Sequence, residues 1–297
     1  MTSASLIRLF LLAAIWGGSF LFMRMGAPVV GAVWLIESRV LLAALFLLLV
    51  ALVTHRALNA RRHWRHYAVL GVVNSALPFL FFGIAAQTLS ASLLSILNAT
   101  APLWGMIIGL VLGYQKISLR LISGLGLGLM GVALLVGLDA HLVASGAGLA
   151  VLSALAAAFC YGVASNYARS APKVDSFANA HGSMWAATLL IAPLMPFFPP
   201  PSQPGPDIMI ALLLLGVVCS GMAYLLYFRL IADEGATSAL TVTYLVPLFG
   251  VLWGTLLLDE VVGWHTLFGG LAVVMGTFLV TGVSWRQLLP SGGQSHG

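Results

Sequence analysis

Charged residues are scarce: Asp, Glu, Lys and Arg make up 7% of the 297 residues, against 61% hydrophobic. A soluble domain carries about 25% charged residues, so a soluble globular fold is excluded and the chain is an integral membrane protein. Acids are scarcer than bases, 8 against 13. The pI near 9.6 does not point to nucleic acid, because the bases gather at the ends of apolar runs rather than on a soluble face. Cysteine is nearly absent. Cys160 and Cys219 both lie inside apolar runs, where a small packing residue is expected rather than a disulfide or a metal pair. No metal and no cofactor are expected. The short alternating segments of about 10 residues that mark a membrane β-barrel are missing too.

What is present is a series of long apolar runs with short polar joints. A helix needs roughly 20 residues at ~1.5 Å each to cross a bilayer. Ten spans are expected, over residues 6–25, 31–53, 67–87, 91–113, 119–138, 147–168, 176–198, 208–230, 236–258 and 264–284. The first run, after Arg8, has the look of a signal peptide, but it recurs in the second half of the chain and is read as a span. Lys and Arg set the orientation. Arg8, Arg56, Arg61, Arg62, Arg65, Lys116, Arg120, Arg169, Lys173, Arg229 and Arg286 fall on one side, while Asp139, Asp207, Asp259 and Glu260 fall on the other with the lone base Arg24. The basic side is expected to be cytoplasmic and to hold both termini, in a bacterial inner membrane.

One stretch organises the rest. Residues 91–113, ASLLSILNATAPLWGMIIGLVLG, are apolar enough to span yet carry Ser92, Ser95, Asn98, Thr100 and Pro102. Pro102 has no N–H for the carbonyl of Asn98, so that oxygen is freed at membrane depth. The stretch repeats at an offset of 145 residues: Pro102 falls on Pro247, Gly105 on Gly250, Gly109 on Gly254 and Asn98 on Thr243. The same offset pairs Gly17 with Gly162, Ser75 with Ser220, and Gly124, Gly131 and Gly137 with Gly269, Gly276 and Gly282. Each unit holds five spans, an odd number, so the second enters the membrane upside down. The expected fold is therefore all-α, ten transmembrane helices in two inverted five-helix repeats, residues 1–142 and 146–287, with a disordered tail at 288–297. Paired broken helices in an inverted repeat are the sequence mark of a transporter's midplane site.

The candidate site follows. Thr88, Ser92, Ser95 and Asn98 share one helix face above Pro102; Thr237, Thr241 and Tyr244, with Thr243 beside them, take the matching face in the ninth span. Any single Ser or Thr can instead bond its own backbone. Pro78 frees the carbonyl of Asn74 in the third span, and Phe79 follows it. Trp16, Ser19 and Phe20 in the first span, Tyr161, Ser165 and Asn166 in the sixth, and Tyr224 in the eighth complete the substrate-binding set. Trp104, Trp253 and Trp264 are expected to pack or anchor. Pro78, Pro102 and Pro247 are expected to break helices. Glu37 and Arg39, two apart on one helix, point away from each other. Each therefore needs its own partner, in a structural or interfacial role or a gating one. His181 is a core histidine or a proton relay.

No dense basic cluster lies in the spans, which argues against phosphorylated substrates. Glu37 is the sole membrane carboxylate for a cationic drug. A neutral or zwitterionic metabolite fits better, its carboxylate meeting Asn, Ser and Thr, its ammonium meeting freed carbonyls and aromatic faces. An intramembrane serine enzyme lacks a base with an orienting acid near Gly17-Gly18-Ser19. A passive channel would show turnover far above a carrier's. The expected partners are a small molecule and the lipid bilayer, with no nucleic acid, and the oligomeric state is left open, a monomer included.

Trp16-Gly17-Gly18-Ser19-Phe20, Arg39 early in the second span, and Pro247, Gly250, Gly254, Asp259-Glu260, Gly269-Gly270 and Gly276 resemble the motifs of the EamA family in the drug/metabolite transporter superfamily. The resemblance spans the chain. It implies ten helices, cytoplasmic termini and metabolite export, and among its members the chain is most similar to YddG-type exporters of aromatic and other neutral amino acids. Drug or toxic-metabolite efflux is the alternative within the superfamily. One departure stands out: the first half has Tyr114-Gln115 where the second has Asp259-Glu260, so the acids are read as a helix-end or gate feature.

Overall fold

Apolar runs without internal backbone partners must coil on themselves in lipid, and the computed structural model describes residues 2–137 and 147–281 as helices with short joints. No strand occurs among the described residues. The helices are α1 (Ser3–Val53), α2 (Ala60–Ala85), α3 (Ala91–Val111), α4 (Leu119–Gly137), α5 (Gly148–Ser170), α6 (Ser176–Ile191), α7 (Pro206–Glu234), α8 (Val242–Leu257) and α9 (Trp264–Thr281). Among the described residues, seven helices are long and apolar enough to cross a membrane. Expectations for Asp139, Gly282, Arg286, the tail and the Thr237 side chain lie outside the described residues.

The first two expected spans form one helical run, α1. Straight, its 51 residues would reach roughly 75 Å. It is folded instead at Gly31, the one residue inside it with non-helical torsions, φ 75° and ψ 161°. Only glycine takes that conformation without strain. The reversal brings Leu35 Cδ1 to 2.7 Å from where a Cβ on Gly26 would stand, far closer than nine residues of straight helix allow. The third span starts at Ala60, earlier than expected, because the basic Ala60–Leu70 segment is already helical. The ninth is shorter than expected: residues 236–239 form a separate turn before α8.

Pro247 does not break its helix as expected, since α8 runs through it from Val242 to Leu257, but Pro102 and Pro78 disturb theirs in two ways. In α3 the helix stops at Asn98 and restarts at Ala101, with Ala99 and Thr100 in a turn and Pro102 at the new N-terminus. In α2, Pro78 follows a widened π-turn, Gly71–Ala76, in which the Leu77 N–H reaches back to Val72. A π-turn spreads the mismatch that the missing N–H creates. At the offset position α7 carries the same device, Leu214–Met222, without a proline.

The glycines of the repeat are the contact points. A Cβ on Gly17 of α1 would stand 2.9 Å from Gly250 N of α8, and one on Gly162 of α5 would stand 2.8 Å from Gly105 N of α3. A Cβ on Gly71 would meet Ala187 N at 3.2 Å, while one on Gly216 would meet the Leu42 side chain at 2.5 Å. Gly124 of α4 faces the Gly276 carbonyl of α9, and Gly131 faces that of Gly269. Lipid supplies no hydrophobic force between helices, so such backbone-close crossings hold them together.

Candidate functional site

Arg39 does not snorkel to an interface. It sits in the second arm of α1 with 6% of its surface exposed. Its Nε donates to Ser220 Oγ at 2.9 Å and its Nη1 contacts Met23 Sδ at 3.3 Å. The guanidinium lies over the Phe79 ring, 3.7 Å from the centroid. Ser220 is ready to accept because its own hydroxyl donates to Leu215 O, five residues back. That reach exists only in the π-turn of α7.

Around this residue the repeat-paired aromatics close in. Tyr161 and Tyr224 are near enough to bear on its charge, as is the Cys219 thiol. Trp16 packs against Tyr224 and Tyr227, with ring centroids 6.5 and 5.3 Å apart, and Phe82 against Phe20 and Tyr161 at 5.4 and 6.4 Å. Asn74, from the π-turn of α2, lies beside Tyr224. Trp16, Asn74, Tyr161 and Tyr224 are all half-buried, although their neighbour Arg39 is enclosed. Each of the four keeps part of its surface accessible beside that enclosed side chain. Six of the expected residues, Trp16, Phe20, Asn74, Phe79, Tyr161 and Tyr224, meet here with Arg39. Its partners Ser220 and Met23 were not singled out, although Ser220 carried a signal in its repeat match with Ser75.

The hydroxyl row of α3 lies elsewhere. Ser95 donates to Ser92 O and packs on Gly250, and Thr100 donates to Leu97 O. Ser19, Thr241 and Thr243 likewise donate to carbonyls three residues back. Tyr244 pairs with Thr281. Asn166 donates to Gly105 O and Gly162 O, at 2.7 and 2.9 Å, and pins α5 to α3. Asn98 is half-buried at the break, and its side chain has no hydrogen-bond partner among the described residues. The carbonyl freed beside it, that of Ala99, is taken by Thr277 Oγ1 from α9 at 2.8 Å. Thr277→Val removes this bond and is expected to cost about 1–2 kcal/mol, read as a lower melting temperature in detergent by circular dichroism. An unchanged melting temperature would show that the bond contributes nothing.

Glu37 is 3% exposed, and its Oε2 is sealed with no partner. Both ion pairs among the described residues, Arg8–Asp233 and Arg229–Asp233, lie at one end of the bundle. His181 accepts from Trp185 at 2.9 Å and is otherwise enclosed. Trp253 donates to Ala14 O, and Trp104 packs on Phe159. Glu260 caps a helix. Its carboxylate accepts from Ala91 N at 2.6 Å, Ser92 N at 3.0 Å and Ser92 Oγ at 2.6 Å, at the N-terminus of α3.

The sequence profile of the EamA-like transporter family matches residues 4–137 and again 148–282. The chain belongs to that family. It is a multi-pass membrane transporter built from two copies of the family unit, and its family relatives are transporters rather than enzymes. An "Uncharacterized transporter" of Archaeoglobus fulgidus is 28% identical over 297 residues, covering 95% of this chain and 98% of that protein. "Uncharacterized transporter YoaV" of Bacillus subtilis is 23% identical, with 90% and 93% covered. A solved structure titled "Crystal structure of protein" superposes with a TM-score of 0.67 at 18% identity, over 96% of the transporter and 99% of its own chain. At that identity the likeness speaks for the fold alone.

Proposed function

We propose that this transporter exports neutral amino acids, aromatic and other apolar ones among them, or similar zwitterionic metabolites, by alternating access. The observation that carries the reading is that Trp16, Asn74, Tyr161 and Tyr224 keep accessible surface around the enclosed Arg39, which is read here as a recess they border. Its walls are aromatic and amide, and its one strong charge is Arg39. Apolar side chains and ammonium groups suit such rings. The reading follows the resemblance to YddG-type exporters.

Ten spans are proposed: seven long helices, one more because α1 folds back at Gly31, and two from α6 and α8 with their adjoining turns. The two units, residues 1–142 and 146–287, are proposed to be inverted. Reciprocal contacts support this. Gly124 meets Gly276 and Gly131 meets Gly269, so each partner is the repeat equivalent of the other contact, as a two-fold axis in the membrane plane requires. Basic residues argue for cytoplasmic termini in a bacterial inner membrane. Asn98, at the break of α3, is assigned to the substrate path.

Counterflow in proteoliposomes tests the reading. Vesicles loaded with unlabelled Phe, Thr or Met should accelerate entry of labelled Phe, and the exchange should saturate. Asn98→Ala should lower it about tenfold at unchanged folded yield. No exchange with any amino acid, from protein shown to be folded, would sink the amino-acid reading. One observation favours a second reading: the buried Glu37 carboxylate, whose Oε2 has no partner, is the counter-charge a cationic drug would want. Growth against a panel of toxic cations, with and without the gene, separates drug efflux from amino-acid export.

A further inference from the structure

We infer that Arg39 is the receptor for the substrate's carboxylate, so that this transporter selects molecules bearing a single carboxylate and the side chains around it bind the rest. The inference rests on the recess being the substrate site.

Three observations carry it. First, Arg39 holds a charge without a counter-charge. Its contacts are a hydroxyl, a thioether and an aromatic face, from Ser220, Met23 and Phe79. The titratable groups beside it are the phenols of Tyr161 and Tyr224 and the thiol of Cys219, all neutral at pH 7 in their ordinary ranges. Glu37, two residues earlier, makes no ion pair with it among the described residues, where the pairs all involve Asp233. A charge taken out of water is costly unless paired, and no described residue supplies the partner.

Second, the guanidinium has donors to spare in the right place. It carries five N–H groups, of which Nε and one on Nη1 are engaged. Nη2 has no protein partner among the described residues, yet it is not among the sealed polar atoms. Some of its surface is therefore accessible, next to the half-buried Tyr161 and Tyr224. A planar fork with a free edge matches a carboxylate, which takes two parallel N–H bonds.

Third, the charge is single. The repeat equivalent of Arg39 is Met184, which is 0% exposed and apolar. One guanidinium balances one carboxylate and leaves a phosphate's second charge unmet. The donors first expected for the carboxylate, Ser92, Ser95 and Thr100, are committed to Glu260 or to their own backbone.

The test uses purified full-length protein, with binding measured by scintillation proximity and exchange by counterflow. The probes are L-phenylalanine, 3-phenylpropionate, which keeps only the carboxylate, and L-phenylalaninamide, which lacks it. Wild type should bind phenylalanine and 3-phenylpropionate at least about 30-fold more tightly than the amide. Arg39→Gln should erase that preference, and Arg39→Lys, which keeps the charge but not the fork, should restore part of it. The probe series on wild type needs no variant, so a misfolded Arg39→Gln leaves it decisive. Amide binding as tight as phenylalanine binding, or amino-acid exchange by folded Arg39→Gln at the wild-type rate, overturns the inference and leaves the amino-acid reading standing. Exchange of 3-phenylpropionate without exchange of any amino acid does the reverse. No binding of either carboxylate probe overturns both.

Discussion

Gly131→Leu should yield no monodisperse protein, whereas Gly126→Leu, five residues earlier on the same helix, should behave as wild type. A Cβ at position 131 would stand 2.6 Å from Gly269 O and 2.7 Å from Val273 N, both backbone atoms of α9. Backbone cannot rotate away as a side chain can, so α4 and α9 would have to separate. Gly276 gives the reciprocal clash, 2.5 Å from Gly128 N and 2.6 Å from Gly124 O. Overpacking a soluble core by one or two carbons costs about 1–3 kcal/mol. Here the loss is larger, because no hydrophobic force pulls the parted helices back together in lipid. A Cβ at Gly126 meets nothing within 4 Å, so that variant controls for helix propensity and bulk. Size-exclusion profiles of fluorescently tagged protein decide the matter. A symmetric wild-type peak from Gly131→Leu would mean the crossing is not as close as described.

That crossing was legible in the sequence, in a limited sense. The 145-residue offset singled out Gly17, Gly105, Gly124 and Gly131 and their equivalents, and these are the places where helix backbones touch. Small residues recur because contact geometry recurs, and no knowledge of the partner helix is needed to see it. The break at Asn98–Ala101 was equally visible, since proline's missing N–H is a local fact. The fate of the hydroxyls was not. Spacing puts Ser92, Ser95 and Asn98 on one face, but not what that face meets, and it meets Gly250, Gly254 and Glu260 of the second half. The π-turn of α7 carries no proline at all and left no local mark. Arg39 is the sharpest case. Its role depends on Ser220, 181 positions away, and on its making no ion pair among the described residues, a property of the assembled bundle that no window of sequence contains.

Glu260→Ala should unfasten the end of the bundle where Arg24 lies. The first N–H groups of a helix have no partner inside it, and the helix dipole adds positive charge there. Glu260 supplies both the acceptor and the negative charge to α3, taking Ala91 N, Ser92 N and Ser92 Oγ. Arg24 fastens the same segment by donating to Ala86 O and Gln87 O, at 3.1 and 2.8 Å. The repeat equivalents of these residues do not match this clamp. Gln115 stands where Glu260 does, with the same loop bond from its N–H to a glycine carbonyl but no charge to offer. Arg169, the equivalent of Arg24, lies over the Tyr114 ring instead. On an alternating mechanism the clamped end is the closed one, and removing the clamp should open it. Charge-assisted bonds contribute about 1.5–3 kcal/mol each; a loss of even ~2 kcal/mol raises the open population roughly 30-fold. Leu89, 0% exposed beside the clamp, reports on it. In a Leu89→Cys background, Glu260→Ala should speed labelling by a membrane-impermeant maleimide at least about tenfold. The background is low because Cys160 and Cys219 are both buried. Glu260→Gln, which can still accept one or two of the bonds, should fall between. Equal labelling of all three proteins would mean that the cap holds α3 together without holding this end shut.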